Sequence, residues 1–130
     1  LVTHKSRSGA TAVEFAIVLP IIVLLLASSL EIGHAFNILS ALQNAAREGA
    51  RHSVVSTATT NSVTEICQQS LTTCGITNPV VSVSPDPANA ESGTMIRVTV
   101  TASYAENSLM SLSKYFNDRH LSASVAMRKE

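Results

Sequence analysis

The chain has 130 residues, nine Lys or Arg against nine Asp or Glu, and a formal net charge of zero. That length allows one modest domain plus one membrane segment, and an even charge without a basic stripe argues against nucleic acid as a partner. Only 4% of the residues are aromatic and Trp is absent, so a core must be built from Val, Ile, Leu and Ala, which suits a small domain leaning on a long helix better than a large enzyme fold.

The sequence opens on Leu1, which leaves the length of any leader open. Lys5 and Arg7 precede a long apolar run, and between Arg7 and Glu31 the only charged residue is Glu14. Residues Ala10 to Leu30 suffice to cross a hydrocarbon core, which takes ~20 apolar residues in a helix. The nearest Lys or Arg beyond the run is Arg47, so the positive-inside rule keeps the N-terminus in the cytoplasm and sends the rest outward. Pro20 falls inside the run and frees the carbonyl of Ala16, which lipid-embedded helices tolerate. A competing reading is a cleavable secretory signal with its site near Ala27-Ser28-Ser29. Against it, the run is longer than a usual signal core. The helical pattern also continues beyond the site through Ile32, Phe36, Leu39, Leu42, Ala46, Gly49 or Ala50, and Val54. One helix is therefore expected from about Ala12 to about Ser56, apolar all round in its first half and amphipathic in its second.

Glu14 is the anomaly, because a carboxylate at bilayer depth is costly and marks function by default. The plain explanation is a helix-dipole or interfacial residue. A sharper one follows if the chain is cut after Gly9. Ala10 then carries a new α-amine, of reference pKa about 7.7–8.0 and largely protonated near neutral pH. Glu14 becomes the fifth residue, one turn or ~6 Å along the axis. Such a carboxylate can neutralise its own amine, or that of a neighbouring helix one step out of register, where an unpaired charge would be expensive.

Basic residues, a Gly, four residues and then Glu14-Phe15 before an apolar run resemble the processing site of class III type IV prepilins. The longer stretch "SGATAVEFAIVLPIIVLLL", followed by "ALQNAAREGAR", resembles the TadE-like family of pseudopilins and minor pilins of tight-adherence (Flp) pilus systems. The resemblance covers about the first 50 residues and is looser beyond them, where it rests on two strands and the C-terminal "LSASVAMRKE". It implies cleavage between Gly9 and Ala10 by a membrane prepilin peptidase. It also implies a processing or assembly role for Glu14, with Phe15 standing where major pilins more often carry Tyr. The partners it implies are other pilins or pseudopilins and the inner-membrane assembly proteins of the Tad system.

Arg47, Glu48 and Arg51 near the end of the long helix read as a solvated face. "STATTN" (56–61) reads as a polar loop. Ser62 and Glu65 fit a capping box that starts a short helix over 62–72, with Val63, Ile66 and Leu71 inward and Gly75 ending it or the turn after it. Strands are expected near 80–84, 94–104 and 120–128. In the second, Ile96, Val98, Val100, Ala102 and Tyr104 alternate with polar residues; in the third, Leu121, Ala123, Val125 and Met127 face inward. "NSLMSLSKYF" suggests another short helix with Leu109, Leu112 and Phe116 on one face. Cys67 and Cys74 would sit in an oxidising compartment, where two nearby cysteines usually pair. On a continuous helix their Cα atoms would stand ~10.5 Å apart, beyond the ~7 Å reach of a disulfide. A Cys67–Cys74 disulfide therefore requires a helix break around Leu71 to Thr73; the alternative is two free thiols.

The expected fold class is α+β. A cytoplasmic leader (1–9) and a transmembrane helix (10–31) lead into an extracytoplasmic domain (32–130), in which a small antiparallel sheet of about three strands packs on the distal half of the long helix. His4, His34, His52 and His120 have no metal-ligand spacing, and no phosphate loop, HExxH or serine elbow occurs. Asp86 and Glu91 share a loop but read as solvated. No catalytic residue, metal or cofactor is expected. The leading function is a pseudopilin or minor pilin in the bacterial inner membrane that takes part in assembling an adhesion pilus. The alternative is a signal-anchored or secreted small envelope binding protein outside any filament.

Overall fold

The computed structural model describes residues 8–109 and 119–130. Helix α1 spans Ser8–Ser53, α2 Thr60–Thr73, strand β1 Val80–Ser84, β2 Met95–Ser103, the short helix α3 Tyr104–Asn107, and β3 His120–Arg128. This is the expected α+β arrangement, with two strand bounds as read from sequence and β2 one residue shorter at each end. Lys5 and Arg7 lie outside the described residues, as do 110–118, which include Leu112 and Phe116 of the expected further helix. The chain divides into two compact units, Leu1–Gly33 and His34–Glu130.

In the first unit, every residue from Gly9 to Leu26 is exposed. Pro20 sits within the helix. An apolar surface on all sides suits apolar surroundings, where an α-helix satisfies its own backbone groups. Even the hydroxyls comply: Ser28 Oγ donates to the Leu24 carbonyl at 2.8 Å and Ser29 Oγ to that of Leu25 at 2.9 Å.

In the second unit, α1 buries Ile38, Leu42, Ala45, Ala46, Gly49, Ala50 and Ser53, a stripe at three- and four-residue spacing. The expected pattern holds at Leu42, Ala46, Gly49 and Ala50 and fails at its ends. Ile32 and Phe36 are 58% and 65% exposed, and Leu39 and Val54 are only half-buried. Apolar residues occupy several faces of α1, so their spacing did not select one; the small residues did, because only they let other elements close in. A Cβ at Gly49 would collide with Cys67 Sγ of α2 and lie 3.3 Å from Val98 Cγ1 of β2.

Against this stripe α2 places Val63, Cys67 and Leu71, and the sheet adds Val98, Val100, Ala102 and Ala123. Ile66, expected inward, is half-buried, and the thiol of Cys67 takes the core position. Burying a side chain such as Leu42 or Leu71 is worth about 1.5–3 kcal/mol.

The N-cap of α2 is Thr59, not Ser62. Thr59 is extended (φ −121°, ψ 156°), its hydroxyl accepts from Ser62 N at 3.2 Å, and Ser62 Oγ accepts from Thr59 N at 3.1 Å, a capping box one turn earlier than Ser62–Glu65. At the other end Gly75, at φ +76°, allows the closing pair of bonds from Ile76 N to Leu71 O and from Gly75 N to Thr72 O, each 3.0 Å.

The sheet is antiparallel in the order β1-β2-β3, with Ser82 and Ser124 both opposite Thr99. β2 alternates strictly: Ile96, Val98, Val100 and Ala102 are buried and the residues between them are not. β3 follows the same phase only at its centre. Ala123 is buried and Leu121 and Val125 half-buried, whereas Met127, expected inward, is 36% exposed opposite Ile96 near the sheet's end. Two charges organise the loop between β1 and β2. Lys129 Nζ donates to the carbonyls of Pro87 and Ala90 at 2.7 and 2.8 Å, and Asp86 accepts from Thr60 Oγ1 at 2.7 Å and from Ala88 N at 3.2 Å.

Candidate processing and assembly site

Gly9, Ala10, Glu14 and Phe15 stand together near the start of α1 because one uninterrupted helix carries all four. Gly9 and Ala10 fall in its first turn, exposed, with nothing within 4 Å of where a Gly9 Cβ would project. Phe15 is 61% exposed and Glu14 is exposed beside it. Glu14 lies within α1, beyond Ser8 where the described residues begin. α1 is long and apolar enough to cross a membrane, and its most apolar stretch is unburied. Ala27, Ser28 and Ser29, the competing cleavage site, lie within the same helix.

The expected disulfide is not formed. Cys67 and Cys74 are both free thiols, the first buried and the second exposed. α2 does not break at Leu71–Thr73: it continues through Thr73 with Cys74 as its C-cap, which holds the two Cα atoms roughly 10 Å apart. The hydroxyls of Thr72 and Thr73 donate back to the carbonyls of Gln68 and Gln69 at 2.8 and 2.9 Å, so these β-branched residues sit in the helix without interrupting it. Burial pushes the Cys67 thiol up, and the nearby charge of Glu48 adds to this.

His34 is not a surface residue. It is half-buried, and its Nε2 donates to the Asn107 carbonyl at 2.7 Å. Asn107 is itself fixed, its Oδ1 accepting from Thr77 N at 2.8 Å and its Nδ2 donating to Ser103 O at 2.8 Å. His52 is exposed and His120 opens β3. Arg47, Glu48 and Arg51 are exposed, as expected of a solvated face. Among the described residues no group of three or more His, Cys, Asp or Glu side chains could hold a metal ion. Lys129 carries a structural role that sequence spacing did not reveal, whereas Gly49 stood in the expected helical pattern and in the small-residue run "AAREGA".

A helix of lipid-spanning length that continues into a packed α+β unit fits a single-pass membrane anchor. Residues 9–51 match the family described as TadE-like protein, from Gly9 through Glu14 to Arg51. The TadE-like resemblance read from the sequence is shown over that segment. No curated protein and no solved structure matches the chain.

Proposed function

We propose that this protein is a pseudopilin or minor pilin that takes part in assembling a Tad/Flp-type adhesion pilus. It does so as a structural component rather than an enzyme, anchored in the bacterial inner membrane with its N-terminus cytoplasmic and residues 32–130 outside. The observation that carries the reading is the TadE-like match that begins at Gly9, on an exposed first turn that also leads to Glu14. In this reading a prepilin peptidase cuts between Gly9 and Ala10, and Glu14 offsets the new amine within lipid. Other pilins and the Tad inner-membrane assembly proteins are its partners.

Mature mass and two substitutions test this. The exported protein should begin at Ala10. Gly9→Val should remain at precursor mass, because a β-branched side chain fills the space beside the scissile bond. Glu14→Ala should still insert, since the helix becomes more apolar, yet lose either cleavage or pilus production, with Glu14→Asp intermediate. A mature chain beginning near Ser29 would point to a secreted envelope protein. Normal cleavage with normal piliation when Glu14→Ala is the sole copy would end the pilin reading.

A further inference from the structure

The outward face of the sheet has an unusual makeup. Because Ile96, Val98, Val100 and Ala102 are buried, the alternate residues of β2 and their direct partners form the solvent side. Across it run the rows Ser82–Thr99–Ser124 and Val80–Thr101–Ser122, with Thr99 Oγ1 donating to Ser124 Oγ at 3.1 Å. At one end Arg97 and Arg128 stand on a diagonal, Arg97 opposite Ala126 and Arg128 opposite Met95, their Cβ atoms roughly 7–8 Å apart. Among the described residues no acidic residue of β1, β2 or β3 lies on this face, and Glu130 follows beyond the end of β3, beside Arg128, in a chain that is electrically balanced as a whole. Among the described residues neither guanidinium has an ion-pair or hydrogen-bond partner.

Arg128 is also positioned. Its Nη2 lies 3.2 Å from where a Cβ at Gly93 would stand, so the bare backbone of Gly93 at φ +90° makes the room it uses. Gly93 is held there by a 2.8 Å bond from its N–H to the Lys129 carbonyl, and the Lys129 ammonium ties down the rest of that loop through Pro87 O and Ala90 O.

We infer that this face is a docking surface for an acidic polysaccharide. The two arginines take carboxylates, for which a guanidinium has the matching fork of donors. The ranks of short hydroxyls, able to donate and accept at once, pair with the sugar hydroxyls between those carboxylates. Other anionic partners fit less well. Among the described residues the face carries no aromatic ring on which a nucleic-acid base could stack, and its exposed apolar residues, Val80 and Met95, stand at its two ends and not at a centre of the kind a protein interface has. Exposed charge pairs are individually weak, but a polymer engages many copies of such a face and gains by avidity. The inference takes from the proposed function only the outward placement of residues 32–130.

The test uses the purified full chain in detergent micelles, with labelled oligomeric alginate as the polyuronate probe and neutral dextran and polyphosphate of similar length as controls. Alginate should bind in a salt-sensitive way and dextran should not. Arg97→Gln with Arg128→Gln should weaken alginate binding by roughly ten-fold, and Thr99→Val with Ser124→Ala should weaken it several-fold with both arginines kept. All variants should keep the wild-type far-UV spectrum and thermal transition, since every altered residue lies on the solvent side. Failure of the wild type to bind alginate, binding indifferent to the arginines, or equal binding of polyphosphate insensitive to the hydroxyl variant would each overturn the inference. Because this measurement is made on isolated protein, its failure is distinct from a failure of the pilin reading, which is decided by cleavage and piliation in cells.

Discussion

Gly49 shows how one absent methyl group sets the packing of the second unit. In a helix interior Ala is favoured over Gly by about 1 kcal/mol, yet a Cβ here would strike Cys67 Sγ and press on Val98 and Val63. Overpacking of this kind costs ~1–3 kcal/mol, so Gly49→Ala should destabilise the protein despite its better propensity. Placing Gly49→Ala in a Cys67→Ala background removes the obstructing sulfur, and the same change should then be neutral or stabilising. Thermal denaturation of the four proteins gives the coupling directly; strictly additive effects would mean that Cys67 is not what excludes the methyl. The cysteines make a second prediction. A maleimide should label Cys74 quickly in native protein. Cys67 should react only after denaturation, because it is buried and its thiol is held above its ordinary pKa. Protein with no reactive thiol in either state would restore the disulfide. The sequence left two readings, a disulfide that needed a helix break around Leu71 to Thr73 and a pair of free thiols, and the Thr pair proved compatible with the helix.

The elements were legible wherever a strong local rule acts alone. The two-residue alternation of β2 and the glycine that ends α2 were both visible in the sequence. The rule failed where several residues satisfy it at once: three Ser or Thr residues stand before Val63, and the extended backbone of Thr59 decided which caps the helix. The face of α1 was read correctly at Leu42, Ala46, Gly49 and Ala50 and missed at Ile32 and Phe36. The Asp86–Thr60 link between the β1–β2 loop and the start of α2 could not be read at all, since 26 positions separate the partners. It has a consequence for acid stability. The Thr60 hydroxyl, then the Ala88 N–H, hold the Asp86 carboxyl below its ordinary pKa, and the group is fully exposed. A carboxyl whose folded pKa is depressed stabilises above its unfolded value, about 3.9, and that contribution disappears as the pH falls through the folded value. Asp86→Asn should therefore have a thermal midpoint that declines less than that of the wild type between about pH 5 and pH 3, with only a small difference because water screens the site. Parallel declines would show that Asp86 does not link the loop to α2 in solution.

At the scale of the whole molecule, the division into an apolar helical unit and a packed α+β unit was the easiest feature to read, because hydropathy sums over many residues while packing turns on few. The Gly9–Glu14 segment was legible as a motif, and the TadE-like match begins at its first residue. The proposed orientation rests on the charges of the sequence: Lys5 and Arg7 before the run, and no Lys or Arg after it until Arg47. Ser92 lies exposed in the β1–β2 loop, well separated in sequence from the helix, and is a suitable reporter. In a Cys74→Ser background, with Cys67 buried and silent, Ser92→Cys should react with a membrane-impermeant maleimide once the outer membrane is opened. Ser6→Cys, on the unprocessed Gly9→Val chain, should stay protected until the inner membrane is dissolved. Replacing Lys5 and Arg7 with Ser should weaken this preference and give a mixed labelling pattern, because the charge bias that sets orientation is then gone. Protection of Ser92→Cys in intact spheroplasts together with labelling of Ser6→Cys would reverse the topology. That result would place Gly9 outside and residues 32–130 in the cytoplasm, and neither outward assembly nor an outward-facing sheet could then be maintained.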